Sequence, residues 1–372
     1  MEASDRKAVI AMSGGVDSSV AAWLMLEQGF ECIGLTLKLF DNDGPEKWAG
    51  AARPAKQAAQ GCCSLADVED AKSVAHRLGI PHYVLNFTGD FQDQVIRRFI
   101  ETYEAGGTPN PCIDCNRYIK FERLLDRAKQ LGFGVIVTGH YARVEKDGAS
   151  GRFLLKKAAD SKKDQTYVLY VITQEQLAFC RFPLGNFTKR DVRNMALEHG
   201  FINAKKSDSQ DVCFVPDGDY GSFIERRLGK RWPEGDIVDE SGAVLGRHKG
   251  FIRYTLGQRR GLGVAAGVPL YVAGKSAADN TVTLGPDSSL YTRFLIADRI
   301  NLIACGELKK PMRVKVKTRY LQAEQDAVAE QLDAGSIRVD FDKPQRAVTP
   351  GQAAVLYDGD IVVGGGTIRE TG

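Results

Sequence analysis

Three sets of residues in this chain could do chemistry. The first is AMSGGVDSSVAAWL, Ala11 to Leu24, which has the paired glycines and hydroxyls of a phosphate-binding loop. A Walker-type loop uses a lysine to reach the outer phosphates, and Ser13–Ser19 contains none. Gly14 and Gly15 still permit close backbone approach, and Ser13, Ser18 and Ser19 supply hydroxyls. A helix behind them would aim its free N–H groups at an anion. That inventory suits a held pyrophosphate better than a γ-phosphate in transfer, and Asp17 beside it suits Mg²⁺. The plainer alternative is a Gly–Gly turn that opens a helix, although SGGVDSS set directly between a strand and a helix is more specific than a bare glycine pair.

The second set is thiols. TPNPCIDCNRYIKF places Cys112 and Cys115 on a loop from which Pro109 and Pro111 exclude regular helix, with Cys115 about one residue ahead of the next helix. Helix N-terminal donors, with Arg117 and Lys120 nearby, would favour thiolate there. A structural metal half-site or an incidental pair are the alternatives, but the second CxxC of a structural zinc site is absent. Cys213 lies in KKSDSQDVCFVPDGDY: Val212 and Phe214 suggest core, whereas Asp208, Ser209, Gln210 and Asp211 suggest an exposed hinge. Only the fold can bring it to Cys115. Cys62 and Cys63 are adjacent, so their side chains diverge; packing or loop ordering is the simplest role, a sulfur relay the other. Cys32, Cys180 and Cys305 stand singly among apolar neighbours and read as core. The third candidate is His140, at the carboxyl edge of the strand FGVIVTG: either a solvated or capping histidine, or one set against a ligand.

These groups need a scaffold. KAVIAM, ECIGLTL, PHYVLNF and FGVIVTG read as strands alternating with helices, which implies an α/β domain: a parallel sheet with helices on both faces and a ligand site at the strands' carboxyl ends. Ser64 with Asp67 and Thr188 with Asp191 form possible capping boxes, and FDNDGPEKWAGAARPAKQAAQG, around Trp48, reads as a mobile loop. YARVEKDGASGRFLLKKA looks like a hairpin. Beyond about Lys206 short alternating runs joined by Gly, Asn and Asp turns predict a small β-rich domain and a C-terminal β-barrel. The expected limits are 1–206, 207–276 and 277–372.

With 372 residues, 43% of them hydrophobic and 26% charged, the chain has the composition of a soluble multidomain protein. It has no apolar run long enough to span a membrane and no signal-peptide core, so a cytoplasmic location is expected. Eight cysteines are too few for a disulfide scaffold at this length. The net charge of only +3 means that any nucleic-acid surface must be local, as in ERRLGKRW, GRHKGFIRYTLGQRRG or MRVKVKTRY, whose Arg/Lys–Val alternation gives one packed and one positive face.

SGGVDSS in this setting resembles the pyrophosphate loop of the N-type ATP pyrophosphatases, which adenylate an oxygen so that it can leave. Taken with NPCIDCNRYIKF, VTGHYAR, KDQTYVLY, DSQDVCF, YTLGQRRGLG and VTPGQAAVLYDGD in this order, the whole chain resembles the tRNA-specific 2-thiouridylases. The resemblance implies ATP-dependent replacement of the 2-oxygen of a tRNA wobble uridine by sulfur, the base being extruded into a pocket. By that resemblance Ala11, Met12, Ser13, Gly14, Gly15, Val16, Asp17, Ser18, Leu37 and Gly139 contact ATP. Asn110, Pro111 and Cys112 face the target base. Lys163, Asp164, Gln165, Arg319 and Tyr320 touch tRNA, with His140 and Gln352 close to it. Cys115 corresponds to the nucleophile and Cys213 to the persulfide carrier, supplied by a cysteine desulfurase, a relay protein or sulfide.

Many members of that family have Asp where this chain has Cys112. Cys112, Cys115 and Cys213 therefore leave two chemistries open, a persulfide or an iron–sulfur cluster with one open iron. Two rival readings are another adenylating enzyme with the same loop, which would need no reactive thiols, and a non-catalytic RNA-binding protein whose cysteines hold a structural metal.

Overall fold

Alternate residues of the first strand, β1 (Lys7–Ala11), go to opposite sides of a sheet: Val9 joins one apolar cluster, Ala8 and Ile10 another. Burial on both faces is why the strand reads as a continuous apolar run. In the computed structural model, which describes residues 6–40, 64–208 and 212–372, β1 pairs in parallel with β2 (Glu31–Lys38) and β4 (Val135–Val137). β3 (His82–Asn86) and β7 (Cys180–Arg181) complete the order β3-β2-β1-β4-β7. Expectations about Trp48, Cys62, Cys63 and residues 209–211 lie outside the described residues.

Helices α1 (Val16–Glu27), α2 (Leu65–Leu78) and Lys189–Glu198 cover one face, while Phe91, Phe99, Tyr103, Ile119 and Leu125 cover the other. Both expected capping boxes form: the Ser64 and Thr188 hydroxyls accept from the backbone N–H of Asp67 and Asp191. Strand order reverses direction at β1, so a crevice opens at the carboxyl ends of β1 and β4.

One local expectation fails. Helix begins at Pro111, with Asn110 as N-cap, and runs through Pro111–Asp114, a π-helical Cys115–Arg123 and Leu124–Gln130. Proline at the first helical position removes only an N–H that has no intrahelical partner anyway, so it starts the helix instead of forbidding it. Cys112 thus sits in the first turn, and Cys115 lies within the helix.

The hairpin of β5 (Arg143–Lys146) and β6 (Phe153–Lys156) forms as read. A central four-stranded sheet, of Gly235–Val238, Val244–His248, Tyr271–Ser276 and Thr281–Gly285, reaches past 276 because its last two strands form one hairpin. Tyr291–Leu302 and Ile361–Thr371 then close a six-stranded antiparallel barrel by pairing with each other. β6 pairs with the barrel through Lys156 and Ile361, and Asn301 donates to the Tyr170 and Ile172 carbonyls. The barrel is therefore bonded directly to the α/β domain. No helix among the described residues is long and apolar enough to cross a membrane.

Candidate active site

The chain leaves β1 at Ala11 through buried Met12, whose N–H donates to the Leu35 carbonyl. Gly14 takes a φ of +73°, and a Cβ there would stand 2.2 Å from the Asp67 carbonyl oxygen, so only glycine fits. Gly15 is the N-cap of α1 and no side chain caps the helix, whose first turn starts at Val16. Its terminal N–H groups are thus left for an anion. Exposed Ser13 has its Oγ 3.4 Å from Ser18 Oγ, and the Ser18 and Ser19 hydroxyls donate to the Gly15 carbonyl. Gly139, just past β4, closes on the same turn: a Cβ there would lie 2.7 Å from the Ser18 nitrogen. Leu37 packs in the apolar cluster with Val9, Leu39 and Phe91.

The lysine absent from the loop arrives from elsewhere. Lys189 Nζ lies 2.7 and 2.8 Å from the Asp17 oxygens and 2.7 Å from Asp208 Oδ1, while Lys163 Nζ lies 2.7 Å from Asp208 Oδ2. A second lysine, Lys206, holds Asp67 and Asp70 at 2.6 Å each and donates to the Gly14 carbonyl, which Asn203 also bonds. The Tyr141 hydroxyl donates to Asp17, and burial together with Asp17's charge pushes its pKa far up, so it stays a donor. Burial pushes the Asp208 carboxyl up, but bonds from Lys163 and Lys189 more than offset this and leave it below its usual value. Lys189, Lys206, Tyr141 and Asn203 were not legible as site residues; the only signal was a phosphate loop without its own cation.

Cys115 is buried in the cluster that contains Phe91, Phe99 and Ile119, and Cys213 and Phe214 pack against that same cluster. The Phe214 ring meets Phe91 and Phe99 edge-on at 5.7 and 5.2 Å, anchoring the residue next to Cys213. Cys115 and Cys213, 98 residues apart in sequence, thus border one apolar cluster. Cys112 is exposed one turn away. Tyr320 stands near it, and burial, then the charges of Asp164 and Cys112, push the Tyr320 hydroxyl up to about 12.

The barrel fixes this loop from outside. Gln352 Nε2 donates to the Thr108 and Pro109 carbonyls at 2.9 and 3.2 Å, and the Thr108 N–H donates to the Pro350 carbonyl. Arg319 donates to the Ala347 carbonyl and Thr349, bracing the same barrel turn. Asp164 is buried and accepts from the Ala158 N–H and the Thr166 hydroxyl, so its carboxyl group braces the local fold. Gln165 likewise accepts from the Tyr141 N–H. His140 is buried between Phe121 and Phe182, with Nδ1 2.7 Å from Thr138 Oγ1; burial and then Lys120 push its pKa well down, so the ring is neutral. The solvated reading of His140 fails, because the strand end that carries it is roofed by two aromatic rings. On the strand Met312–Lys317 the valines are buried as expected, but Arg313 and Lys315 pair with Asp342 and Asp326, so the face is less positive than its sequence.

Among the described residues no three Cys, His, Asp or Glu side chains converge closely enough to hold a metal ion. Cys112, Cys115 and Cys213 thus form no such group among those residues. Asp17 fits Mg²⁺ only in part, since its carboxylate already holds the Lys189 ammonium, which the metal would have to displace.

Residues 6–217 match the family model described as the tRNA methyl transferase HUP domain, 221–286 the tRNA methyl transferase PRC-barrel domain, and 292–368 the aminomethyltransferase beta-barrel domain. These three matches, end to end, define a tRNA-modifying class in which a HUP domain is followed by two barrels. The chain is 51% identical over 366 residues to the tRNA-specific 2-thiouridylase MnmA of Acetivibrio thermocellus, covering 98% of this chain and 100% of that one. It is 46% identical to the protein of the same name from Clostridioides difficile, covering 99% of each. The chain belongs to the tRNA-specific 2-thiouridylase family.

Proposed function

We propose that this enzyme exchanges the 2-oxygen of the wobble uridine of tRNA for sulfur at the expense of ATP, in the cytoplasm, where it meets its tRNA. The Ser13–Ser18 loop and the N-terminus of α1 bind the pyrophosphate part of ATP, with Gly139 closing on them. Mg²⁺, when bound at Asp17, would screen the phosphate charge. The uridine 2-oxygen attacks the α-phosphorus and pyrophosphate leaves, which converts a poor leaving group into AMP. The terminal sulfur of a Cys213 persulfide attacks C2 and expels AMP, leaving a C2–S–S–Cys213 adduct. Cys115 thiolate then attacks the Cys213 sulfur, releasing the 2-thiouridine and forming a Cys115–Cys213 disulfide that an external thiol reopens. A cysteine desulfurase or relay protein recharges the Cys213 thiolate by passing it the outer sulfur of its own persulfide; sulfide does so instead by attacking the Cys115–Cys213 disulfide at Cys213, which leaves a Cys213 persulfide and a Cys115 thiol.

The observation that carries this reading is the packing of Cys115 and Cys213 against one apolar cluster. Direct thiol exchange asks for Cys115 and Cys213 alone, and their shared apolar cluster supports it. The test is to incubate anaerobically purified protein with unmodified tRNA, ATP, Mg²⁺, a thiol reductant, and a cysteine desulfurase with cysteine as persulfide donor, and to look for 2-thiouridine by mass spectrometry. Wild type should make it, and Cys115→Ser and Cys213→Ser should not. AMP without thiouridine from wild type would mean that the acceptor or donor is wrong; iron that co-purifies and is required would overturn the persulfide route.

A further inference from the structure

Behind the loop that carries Asn110 lies a cavity of about 100 Å³ between the α/β domain and the barrel, lined among others by Arg98, Thr102, Asn110, Asp114, Tyr170 and Arg299. Arg98 comes from the α/β domain and Arg299 from the barrel. Neither has an ion-pair partner within 4 Å among the described residues; Arg98 bonds only Gln94 and stacks on Tyr118 at 4.6 Å. The cavity also holds the carboxyl groups of Glu101 and Asp114, but neither lies within 4 Å of a guanidinium there, so the arginine donors remain available to an acceptor ligand. Tyr170 is fully buried, and its hydroxyl has no hydrogen bond of acceptable geometry, although Thr367 stands beside it. Arg117, close enough to act electrostatically on both Asp114 and Tyr170, has a buried Nε without a partner. Arg299 itself holds a φ of +52°, a strained setting for a side chain of that size and one that persists where surrounding structure or function demands it.

A simple anion does not complete the set, because Glu101 and Asp114 share the cavity and would repel it unless the ligand also brings a donor. A phosphodiester next to a ribose 2′-hydroxyl supplies both: acceptor oxygens for the arginines and the Tyr170 hydroxyl, and a hydroxyl donor for the carboxylate. The cavity is too small for a whole nucleotide, and it shares Asn110 with the base-facing loop. We propose that it binds one backbone phosphate and the adjoining 2′-hydroxyl of the RNA strand beside the extruded base, so that the enzyme reads ribose at that one position. This rests on the reading of tRNA as substrate.

The test is to titrate the full-length enzyme with an anticodon stem-loop RNA, and with versions carrying 2′-deoxyribose at one loop position at a time. For wild type, one such position should weaken binding about 5- to 10-fold while the others change it little. Asp114→Ala should abolish that difference. Arg299→Ala and the bulkier Arg299→Gln should weaken all versions about 10-fold and lower the slope of log affinity against log salt by about one. Equal effects at every deoxy position, or unchanged slopes in folded arginine variants, would overturn the proposal. Inorganic phosphate that binds wild type but not Arg299→Gln, with stem-loop affinity unaltered, would make the cavity a free-anion site and overturn it as well. The deoxy series needs no variant, so misfolding of one does not spare the idea. If wild type neither binds the stem-loop nor thiolates tRNA, it is the substrate reading that fails.

Discussion

The ammonium of Lys189 lies 2.7 and 2.8 Å from the two oxygens of Asp17, a residue 172 positions earlier in the chain. The same ammonium holds Asp208, at the root of the segment that leads to Cys213. The phosphate loop and a carboxylate five residues ahead of Cys213 therefore share one cation. Lys189→Met should leave two partly buried carboxylates without it, costing roughly 3 kcal/mol in stability and lowering AMP formation more than tenfold. Urea unfolding and an AMP assay check this; an unchanged unfolding midpoint would reduce the contact to incidental packing.

Gly14 and Gly15 are neighbours with opposite tolerances. Gly14→Ala meets both a left-handed backbone and the Asp67 carbonyl, and should cost on the order of 2 kcal/mol or more with loss of ATP binding. Gly15→Ala would bring its Cβ only to 3.4 Å from Ser13 Oγ at an extended N-cap, and should cost about 1 kcal/mol or less. Thermal melts with and without ATP separate the two. Equal losses would refute the steric account.

Gln352 holds the Thr108 and Pro109 carbonyls from the barrel. Each bond contributes about 1 kcal/mol net, so Gln352→Ala should loosen the Asn110–Cys112 turn and raise the KM for tRNA about tenfold. ATP affinity should not change, because the phosphate loop lies on other elements. Steady-state kinetics with each substrate varied in turn is the measurement, and a parallel rise in both KM values would count against it.

Lys275 is half-buried, its ammonium bonded to the Tyr254 carbonyl and 6.0 Å from the Tyr103 ring centre. Burial pushes its pKa down to about 8. Below that pH both folded and unfolded chains carry the proton, and the full cost of burying the charge is present. Between about 8 and the ordinary value of 10.5 the folded chain loses the proton while the unfolded chain keeps it, so stability rises with pH across that window. Lys275→Met should therefore raise the midpoint at pH 7 by a few degrees and flatten the alkaline rise. Thermal melts from pH 7 to 10.5 decide it; a variant that keeps the wild-type slope would rule Lys275 out as the cause.

Much of the α/β domain was legible because its signals are local. Apolar runs marked β1 and β2, Ser64 and Thr188 announced their helices, and two glycines between strand and helix marked the loop. Pro111 misled for an equally local reason: a proline excludes helix from its N-terminal side but favours it from its own position onward. The surroundings of Asp164 were hidden for a different reason. Its place in KDQ says nothing about direction, and the fold turned the carboxylate inward, onto Ala158 and Thr166.

Residue types and spacings by themselves determined the lysine-free phosphate loop, the thiol inventory and the succession of α/β and β-rich domains, since each depends on contacts within a few turns of chain. Only the tertiary structure decided that Lys189 and Lys206 supply the loop's cations, that Cys213 packs on the cluster that buries Cys115, and that Gln352 of the barrel clamps the turn before Cys112. Those are contacts between residues far apart in sequence. Their geometry is set by how the strands order and the barrel docks, which no local pattern of side chains encodes.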